Sequence, residues 1–193
     1  MVKYDINKIL DFNFQMHLYS NKELCDISFF MFQYANLHNQ NNIDDQYLKN
    51  LIEKLCLNYN IIPYHNWTHA FQLMHMYFCT YFNSQLKNFL EPFEFLVGLI
   101  SGLAHDINHK GFNNIYKIKR KSENSLRYAE QGVLENMHIS QFFRIIFNNP
   151  ELDISQKITE PVFFFSNYIL LQYIKKEQTK QIQKINIFQY YKY

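Results

Sequence analysis

The stretch Pro92–His109, PFEFLVGLISGLAHDINH, decides the fold of this chain. Its central part, Phe95–Ala104, carries no charged residue. Pro92 suits the first turn of a helix, where the N–H that proline lacks would have no intrahelical partner. We therefore predict a buried helix over Phe93–Asp106. The uncharged part is too short for a membrane span, which needs roughly 20 apolar residues.

Helical periodicity continues on both sides of this stretch. Ser20 followed by Glu23 fits a capping box, which marks the start of a helix. Further helices are predicted over Asn66–Phe82, near Ser125–Gln131 and over Val133–Phe147. With only 4 Gly and 4 Pro, the chain has too few turn residues for a sandwich or barrel. The predicted fold class is all-α.

The composition is that of a globular protein. Of 193 residues, 48% are hydrophobic and 19% are charged, which argues against disorder and favours a single domain. A net charge of +2 is too small to predict a nucleic acid partner. The three cysteines form no CxxC pair and suit a reducing compartment. Since no signal-like apolar region opens the sequence, we expect a cytoplasmic chain without a membrane span.

Two pairs of histidines indicate a metal-binding or catalytic site. His65 and His69 are four residues apart, as are His105 and His109, so each pair shares a face if one helix runs through it. Asp106 follows the apolar run, where a carboxylate is costly unless it is paired or bound to a metal. Imidazole with carboxylate is a ligand set for zinc, manganese or iron. We interpret three other histidines as ordinary core or surface residues: His17, His38 and His75.

Three ordered motifs resemble the catalytic domain of the class I cyclic nucleotide phosphodiesterases. They are YHNWTHA at 64–70, GLAHDINHKGFNN at 102–114 and VLENMH at 133–138. The corresponding family patterns are YHNxxHA, HDxxHxGxxN and VLENHH, and the resemblance covers about residues 5–155. It implies an all-helical, HD-type fold. It also implies hydrolysis of the 3′,5′-cyclic phosphate of cAMP, cGMP or both to the 5′-monophosphate, in signal transduction.

The resemblance also implies roles for individual residues. His69, His105 and Asp106 would bind two divalent metal ions, Zn²⁺ together with Mg²⁺ or Mn²⁺, with Asp106 shared between them. His65 matches the proton donor to the leaving 3′-oxygen, a role that suits a side chain with a pKa near neutrality. The matched positions that orient water and the acid, or that lie near the metals and the phosphate, are His109, Asn113, Glu135 and His138.

The C-terminal part of the sequence departs from the family pattern. The family's later half contains a TDM segment, a further metal-binding Asp and a Gln that binds the purine. None of these has a counterpart here, since no Asp follows Asp153. We therefore expect residues 1–155 to form a partial phosphodiesterase-like domain and residues 156–193 to form a divergent tail. The first metal would keep three protein ligands.

Two other interpretations stay open. In one, the chain is a truncated and catalytically weak or inactive relative. It binds metal or pairs with a full-length partner as a homo- or hetero-dimer, because helices facing a missing half expose apolar surface. In the other, the chain is a different HD-type phosphohydrolase that acts on nucleotides. The HNxxH motif upstream of HDxxH and the VLENMH string argue against this second interpretation.

Overall fold

A computed structural model describes residues 4–37 and 43–152, and the predicted tail lies outside these ranges. The regular structure of the described residues is helical throughout, which confirms the all-α prediction. Three short 3₁₀ segments cover Met16–Leu18, Gln85–Asn88 and Pro150–Leu152. The α-helices are α1 (Ile6–Ile9), α2 (Asn21–Tyr34), α3 (Asp45–Leu57), α4 (Trp67–Asn83), α5 (Pro92–Ala104), α6 (Asn114–Lys119), α7 (Glu123–Arg127) and α8 (Val133–Phe147).

The predicted helix starts are confirmed where a side chain caps the helix. Ser20 begins α2 with a capping box: its hydroxyl accepts the Glu23 N–H, and its own N–H donates to the Glu23 carboxylate. Asn66 begins α4 by accepting the His69 N–H at 3.1 Å. These caps satisfy N–H groups that have no partner within the helix. The bounds of α8 are those predicted from the sequence.

Helix α5 ends two residues earlier than predicted. Its last residue is Ala104, and His105 is the C-cap. The Ile107 N–H donates to the Ala104 carbonyl at 3.3 Å, an i to i+3 bond that closes a tighter turn. Asn108 then adopts a φ of 59°, in the left-handed region, which stops the helix. Asp106 therefore lies in a turn and not on a helix face.

The segment between α5 and α8 also differs from the prediction. Helix α6 is not among the predicted helices; it forms because the Asn113 side chain accepts the Tyr116 N–H at 2.9 Å and starts a helical turn. Helix α7 begins and ends earlier than the predicted Ser125–Gln131. The left-handed backbone of Ala129 and Glu130 ends it. The spacing of apolar residues predicts neither the Asn113 cap of α6 nor the left-handed turn at Ala129 and Glu130.

Two glycines on one face of α5 bring this helix close to α4. A Cβ at Gly102 would lie 3.0 Å from the Cα of Met74, and a Cβ at Gly98 would overlap the Tyr77 ring. Residues four apart share a helix face, so both glycines lie on the side of α5 that contacts α4. This close crossing places the carboxyl end of α5 beside the first turn of α4.

The hydrophobic core lies among α2, α3, α4 and α5, with α8 packed on one side. Aromatic rings fill much of it. The Tyr81 ring of α4 stacks on the Phe95 ring of α5 with centroids 3.6 Å apart, and Phe78 and Phe82 contact the same ring. None of the helices within 4–37 and 43–152 combines the length and the apolar character that crossing a membrane requires.

One of the three histidines interpreted as ordinary residues has a clear structural role. His75 is fully buried, and its Nε2–H donates to the Ile9 carbonyl at 2.6 Å, which ties the N-terminal segment to α4. Burial lowers the pKa of His75, so the ring is neutral near pH 7. His17 is exposed, and His38 lies outside the described residues. The core interpretation of His75 is confirmed.

We expect Gly102→Ala to lower the free energy of unfolding by about 1–3 kcal/mol, because the new methyl group meets the backbone of α4, which cannot turn aside. Gly98→Ala is the matched control, since its methyl group meets only the end of a side chain. In a Tyr77→Ala background, Gly98→Ala should become stabilising by about 0.5–1 kcal/mol through helix propensity. Urea denaturation of the four variants measures both effects. A Gly102→Ala protein as stable as the parent would contradict the proposed close crossing.

Candidate metal centre

Four imidazoles converge on the carboxylate of Asp106. Its Oδ2 atom lies 2.6 Å from His65 Nδ1, 3.1 Å from His105 Nε2 and 3.5 Å from His69 Nε2. Its Oδ1 atom faces the other way and lies 3.7 Å from His138 Nε2. The carboxylate therefore has two occupied sides, with three imidazoles at one oxygen and a fourth at the other.

Loops rather than a shared helix face bring these residues together. His65 precedes the N-cap of α4, so the HxxxH pair that it forms with His69 is not on one helix. His105 caps α5, and His109 lies beyond the turn that follows. No single helix runs through either histidine pair, so neither pair shares a helix face. Instead, the close crossing of α4 and α5 brings the rings together, with the Nε2 atoms of His69 and His105 3.3 Å apart.

Hydrogen bonds to backbone carbonyls set the tautomers of two of these rings. The Nδ1–H of His105 donates to the Gly102 carbonyl at 2.9 Å, and the Nδ1–H of His138 donates to the Ile107 carbonyl at 2.6 Å. In the neutral ring the other nitrogen, Nε2, then carries no proton. Both Nε2 atoms face Asp106, as required of imidazole ligands whose second nitrogen is held by a protein carbonyl.

The local electrostatics keep the carboxylate charged and the His69 and His109 rings neutral. Burial opposes ionisation of Asp106, but its contacts with His105 and His65 outweigh this effect and hold the pKa of the carboxyl well below its usual range. Burial, with the neighbouring His105, lowers the pKa of His69 to about 4. Burial, with the neighbouring His65, lowers the pKa of His109 to about 4. These are the protonation states that bind metal.

The donor set fits divalent metal ions at two places. One group of ligand atoms comes from His65, His69 and Asp106, and another from Asp106, His109 and His138, with the atoms of each group within 4.8 Å of one another. Asp106 belongs to both. The Nε2 atoms of His105 and His138 face the carboxylate with lone pairs and no proton, and a cation between them and the carboxylate would satisfy these lone pairs.

The other predicted residues are distributed unevenly around this centre. The His109 ring stacks on the His65 ring with centroids 3.8 Å apart, and His109 Nδ1 accepts the Gly111 N–H at 3.0 Å. Asn113 is exposed, and its amide oxygen caps α6. Glu135 is half-buried, and both its oxygens accept hydrogen bonds from Asn114. The roles suggested for Asn113 and Glu135 stay predictions.

Residues that the sequence reasoning missed hold the turn that carries Asp106. The Tyr59 hydroxyl donates to the Leu103 carbonyl at 3.0 Å and accepts the Asp106 N–H at 3.2 Å. The Asn60 amide donates to the His109 carbonyl at 2.8 Å. From the sequence Tyr59 continues the apolar spacing of the helix before it and shows no sign of a polar role. The segment after α3 thus acts as a template for the turn that carries Asp106.

We expect Tyr59→Phe to weaken Zn²⁺ binding about 10-fold, because the Asp106 N–H loses its acceptor and the turn loses a restraint. Tyr47→Phe is the matched control, since the buried Tyr47 hydroxyl donates to the Leu152 carbonyl, on a different part of the chain. Each variant should lose about 1–3 kcal/mol of stability through a buried carbonyl left unpaired. Calorimetric Zn²⁺ titration separates them, and equal Zn²⁺ affinities would contradict the template role.

Much of the sequence matches known proteins. A family model described as 3′5′-cyclic nucleotide phosphodiesterase matches residues 64–186. A high affinity cGMP-specific 3′,5′-cyclic phosphodiesterase 9A of Drosophila melanogaster is 34% identical over 116 residues, which are 60% of this chain and 8% of that protein. A 3′,5′-cyclic-AMP phosphodiesterase 4 of Dictyostelium discoideum is 31% identical over 163 residues, which are 81% of this chain and 15% of that protein.

Solved structures match at the level of the fold. The phosphodiesterase domain of the RhoPDE fusion protein from Salpingoeca rosetta has a TM-score of 0.78 and 29% identity, over 84% of this chain and 51% of that chain. LmjPDEB1 in complex with IBMX, at 22% identity and a TM-score of 0.77, shares the fold over 88% of this chain and 52% of its own. The present chain spans about half of these solved domains. On the family match and the shared fold, it belongs to the class I 3′,5′-cyclic nucleotide phosphodiesterases.

Proposed function

We propose that this chain carries the metal-binding and proton-donating part of a phosphodiesterase that hydrolyses 3′,5′-cyclic nucleotides, cAMP or cGMP, to 5′-monophosphates in signal transduction. The convergence of four imidazoles on the carboxylate of Asp106 carries this proposal. Relatives named for cAMP and for cGMP both match the chain, which supports this substrate class. In this proposal residues 1–155 form the phosphodiesterase-like part and 156–193 a divergent tail, although the family match continues to residue 186.

The proposed cofactors are Zn²⁺ and Mg²⁺ or Mn²⁺. His69, His105 and Asp106 would hold the zinc ion, because imidazole nitrogens and a carboxylate oxygen are ligands that zinc prefers. The second ion would lie on the Oδ1 side of Asp106, beside His138 and His109. Bound divalent metals supply Lewis acidity, which polarises a phosphate and lowers the pKa of water.

His65 is the proposed proton donor. Its Nδ1–H donates to Asp106 Oδ2, which fixes the ring and leaves Nε2 as the nitrogen that can carry a proton to substrate. The side chain is 35% exposed, in contrast to 4% for His105, so it is the ring of the cluster that a substrate reaches. When the bond between phosphorus and the 3′-oxygen breaks, the proton on Nε2 passes to that oxygen. Asp106 stabilises the charged ring before the transfer.

The remaining predicted residues would support the metals and the phosphate. His109 restrains His65 by stacking on it, and its Nε2 would donate to bound water while Nδ1 accepts the Gly111 N–H. Glu135 would act on this region from α8 through Asn114, whose amide donates to both Glu135 oxygens. Asn113 would lie on the phosphate side as an exposed amide.

We expect Asp106→Asn to abolish tight metal binding, because it removes the carboxylate that both ligand groups share. The measurement is the number of Zn²⁺ and Mn²⁺ ions bound per chain after dialysis, by elemental analysis. Asp26→Asn is the control, since Asp26 is an exposed carboxylate on α2. Unchanged metal content in the Asp106 variant would rule out this site.

We expect His65→Gln to lower kcat for cAMP and cGMP by about 10²–10⁴-fold, the usual contribution of general acid catalysis. With bis(p-nitrophenyl) phosphate, whose leaving group needs no proton, the loss should be under about 10-fold. His17→Gln, at an exposed histidine, should behave like the parent. Equal losses on both substrates would show that His65 acts otherwise than as a proton donor.

A second candidate function is that of a relative that binds metal without turnover and pairs with a second chain. Metal content without hydrolysis, together with a dimer in sedimentation analysis, would support this candidate. Turnover by a monomer would exclude it.

A further inference from the structure

Helix α8 begins without a cap of its own. Its N-cap residue is Gly132, with a left-handed backbone at φ 52° and ψ 48°, and no side-chain hydrogen bond from this position caps the helix. The N–H groups of the first turn nevertheless need acceptors. The Asn114 Oδ1 atom accepts the Leu134 N–H at 2.8 Å. A side chain from α6 therefore provides the cap of α8.

The Asn114 amide also binds the carboxylate of Glu135, the residue after Leu134. Asn114 Nδ2 donates to Glu135 Oε1 at 3.2 Å and to Glu135 Oε2 at 3.0 Å. The amide oxygen faces an N–H donor while the amide nitrogen faces two acceptors, so its orientation is determined by both partners. Asn114 is in turn the first residue of α6, directly after the Asn113 cap. The start of α6 is thus bonded to the start of α8 at two adjacent residues.

His138 lies one helical turn beyond Leu134 on the same face of α8. It is 3% exposed, its Nδ1–H donates to the Ile107 carbonyl, and its Nε2 is 3.7 Å from Asp106 Oδ1. Any movement of the first turn of α8 displaces His138 relative to Asp106. In contrast, the three imidazoles near Asp106 Oδ2 are carried by the ends of α4 and α5.

We propose that Asn114 is a positioning residue that caps α8 from α6 and thereby holds His138 on the Oδ1 side of Asp106. This inference rests on the proposed metal-dependent function and assigns Asn114 to one of its two metal positions. The Oδ2 side should be insensitive to Asn114, because no described hydrogen bond joins Asn114 to α4 or α5.

The first test compares metal binding by Asn114→Ala, Asn114→Asp and Asn136→Ala. Asn136 is the control, since it lies on the same helix and its amide donates only to the Gln131 carbonyl. Each protein is loaded with one equivalent of Zn²⁺ and titrated with Mn²⁺ by calorimetry. Asn114→Ala should weaken Mn²⁺ binding about 10-fold or more, with Zn²⁺ affinity within about 2-fold. Asn114→Asp keeps a cap acceptor but would place it against the Glu135 carboxylate, so it is made in a Glu135→Gln background, where it should keep most of the affinity of Glu135→Gln alone.

The second test needs no metal. In ¹⁵N spectra of the histidine rings, His138 and His105 of the parent should both show the Nδ1–H tautomer. Asn114→Ala should give mixed tautomers for His138 and leave His105 unchanged. If both rings keep the parent signals, or if both lose them together, the positioning role is wrong.

The two arms separate this inference from the proposed function. A parent protein that binds neither ion contradicts the proposed function, and the ring spectra still decide whether Asn114 positions His138. A parent protein that binds both ions, with equal Mn²⁺ affinity in Asn114→Ala, leaves the proposed function standing and overturns the inference. In the Glu135→Gln background, an Asn114→Asp protein as weak as Asn114→Ala shows that the cap is not the cause.

Discussion

The carboxylate of Asp106 imposes the main constraint on this structure. It is 12% exposed, and a buried carboxylate is stable only if hydrogen bonds or ions replace its lost hydration. The Nδ1–H of His65, from the segment before α4, donates one such hydrogen bond. The other rings around the carboxylate come from α4, from the end of α5 and from α8. The packing of these elements therefore determines which groups surround the charge.

Backbone geometry, more than side-chain packing, sets the distances at this centre. Gly102 permits α4 and α5 to cross so closely that His69 and His105 nearly touch. The Gly102 carbonyl also accepts the Nδ1–H of His105, so one residue fixes both the helix spacing and the tautomer. Tyr59 holds the turn after α5, because its hydroxyl accepts the Asp106 N–H. A larger side chain at position 102 would push α4 and α5 apart. His69 would then be separated from His105, although both sequence motifs would be unchanged.

The sequence predicts most of the fold because strong caps and long apolar runs mark α2, α4, α5 and α8. It also identifies His65, His69, His105 and Asp106 through motif spacing. It does not show why they converge, since the helical face that would join each pair does not exist. Asn114 illustrates a different gap. The pattern HDxxHxGxxN, counted from His105, ends at Asn114, whereas the prediction named Asn113. The asparagine of the motif is thus Asn114, and its contact with α8 is visible only in the structure.

The two oxygens of Asp106 divide the centre into halves with different supports. The Oδ2 half depends on the crossing of α4 and α5, which a hydrophobic core stabilises, and so it should persist when the rest of the chain is perturbed. The Oδ1 half depends on α8, whose Leu134 N–H is capped by the Asn114 side chain of the short helix α6. Local opening follows the weakest contacts. The Oδ1 half should therefore open more readily than the Oδ2 half. The position of His138 would then depend on the contacts of α8, and the positions of His69 and His105 on the packing of α4 against α5.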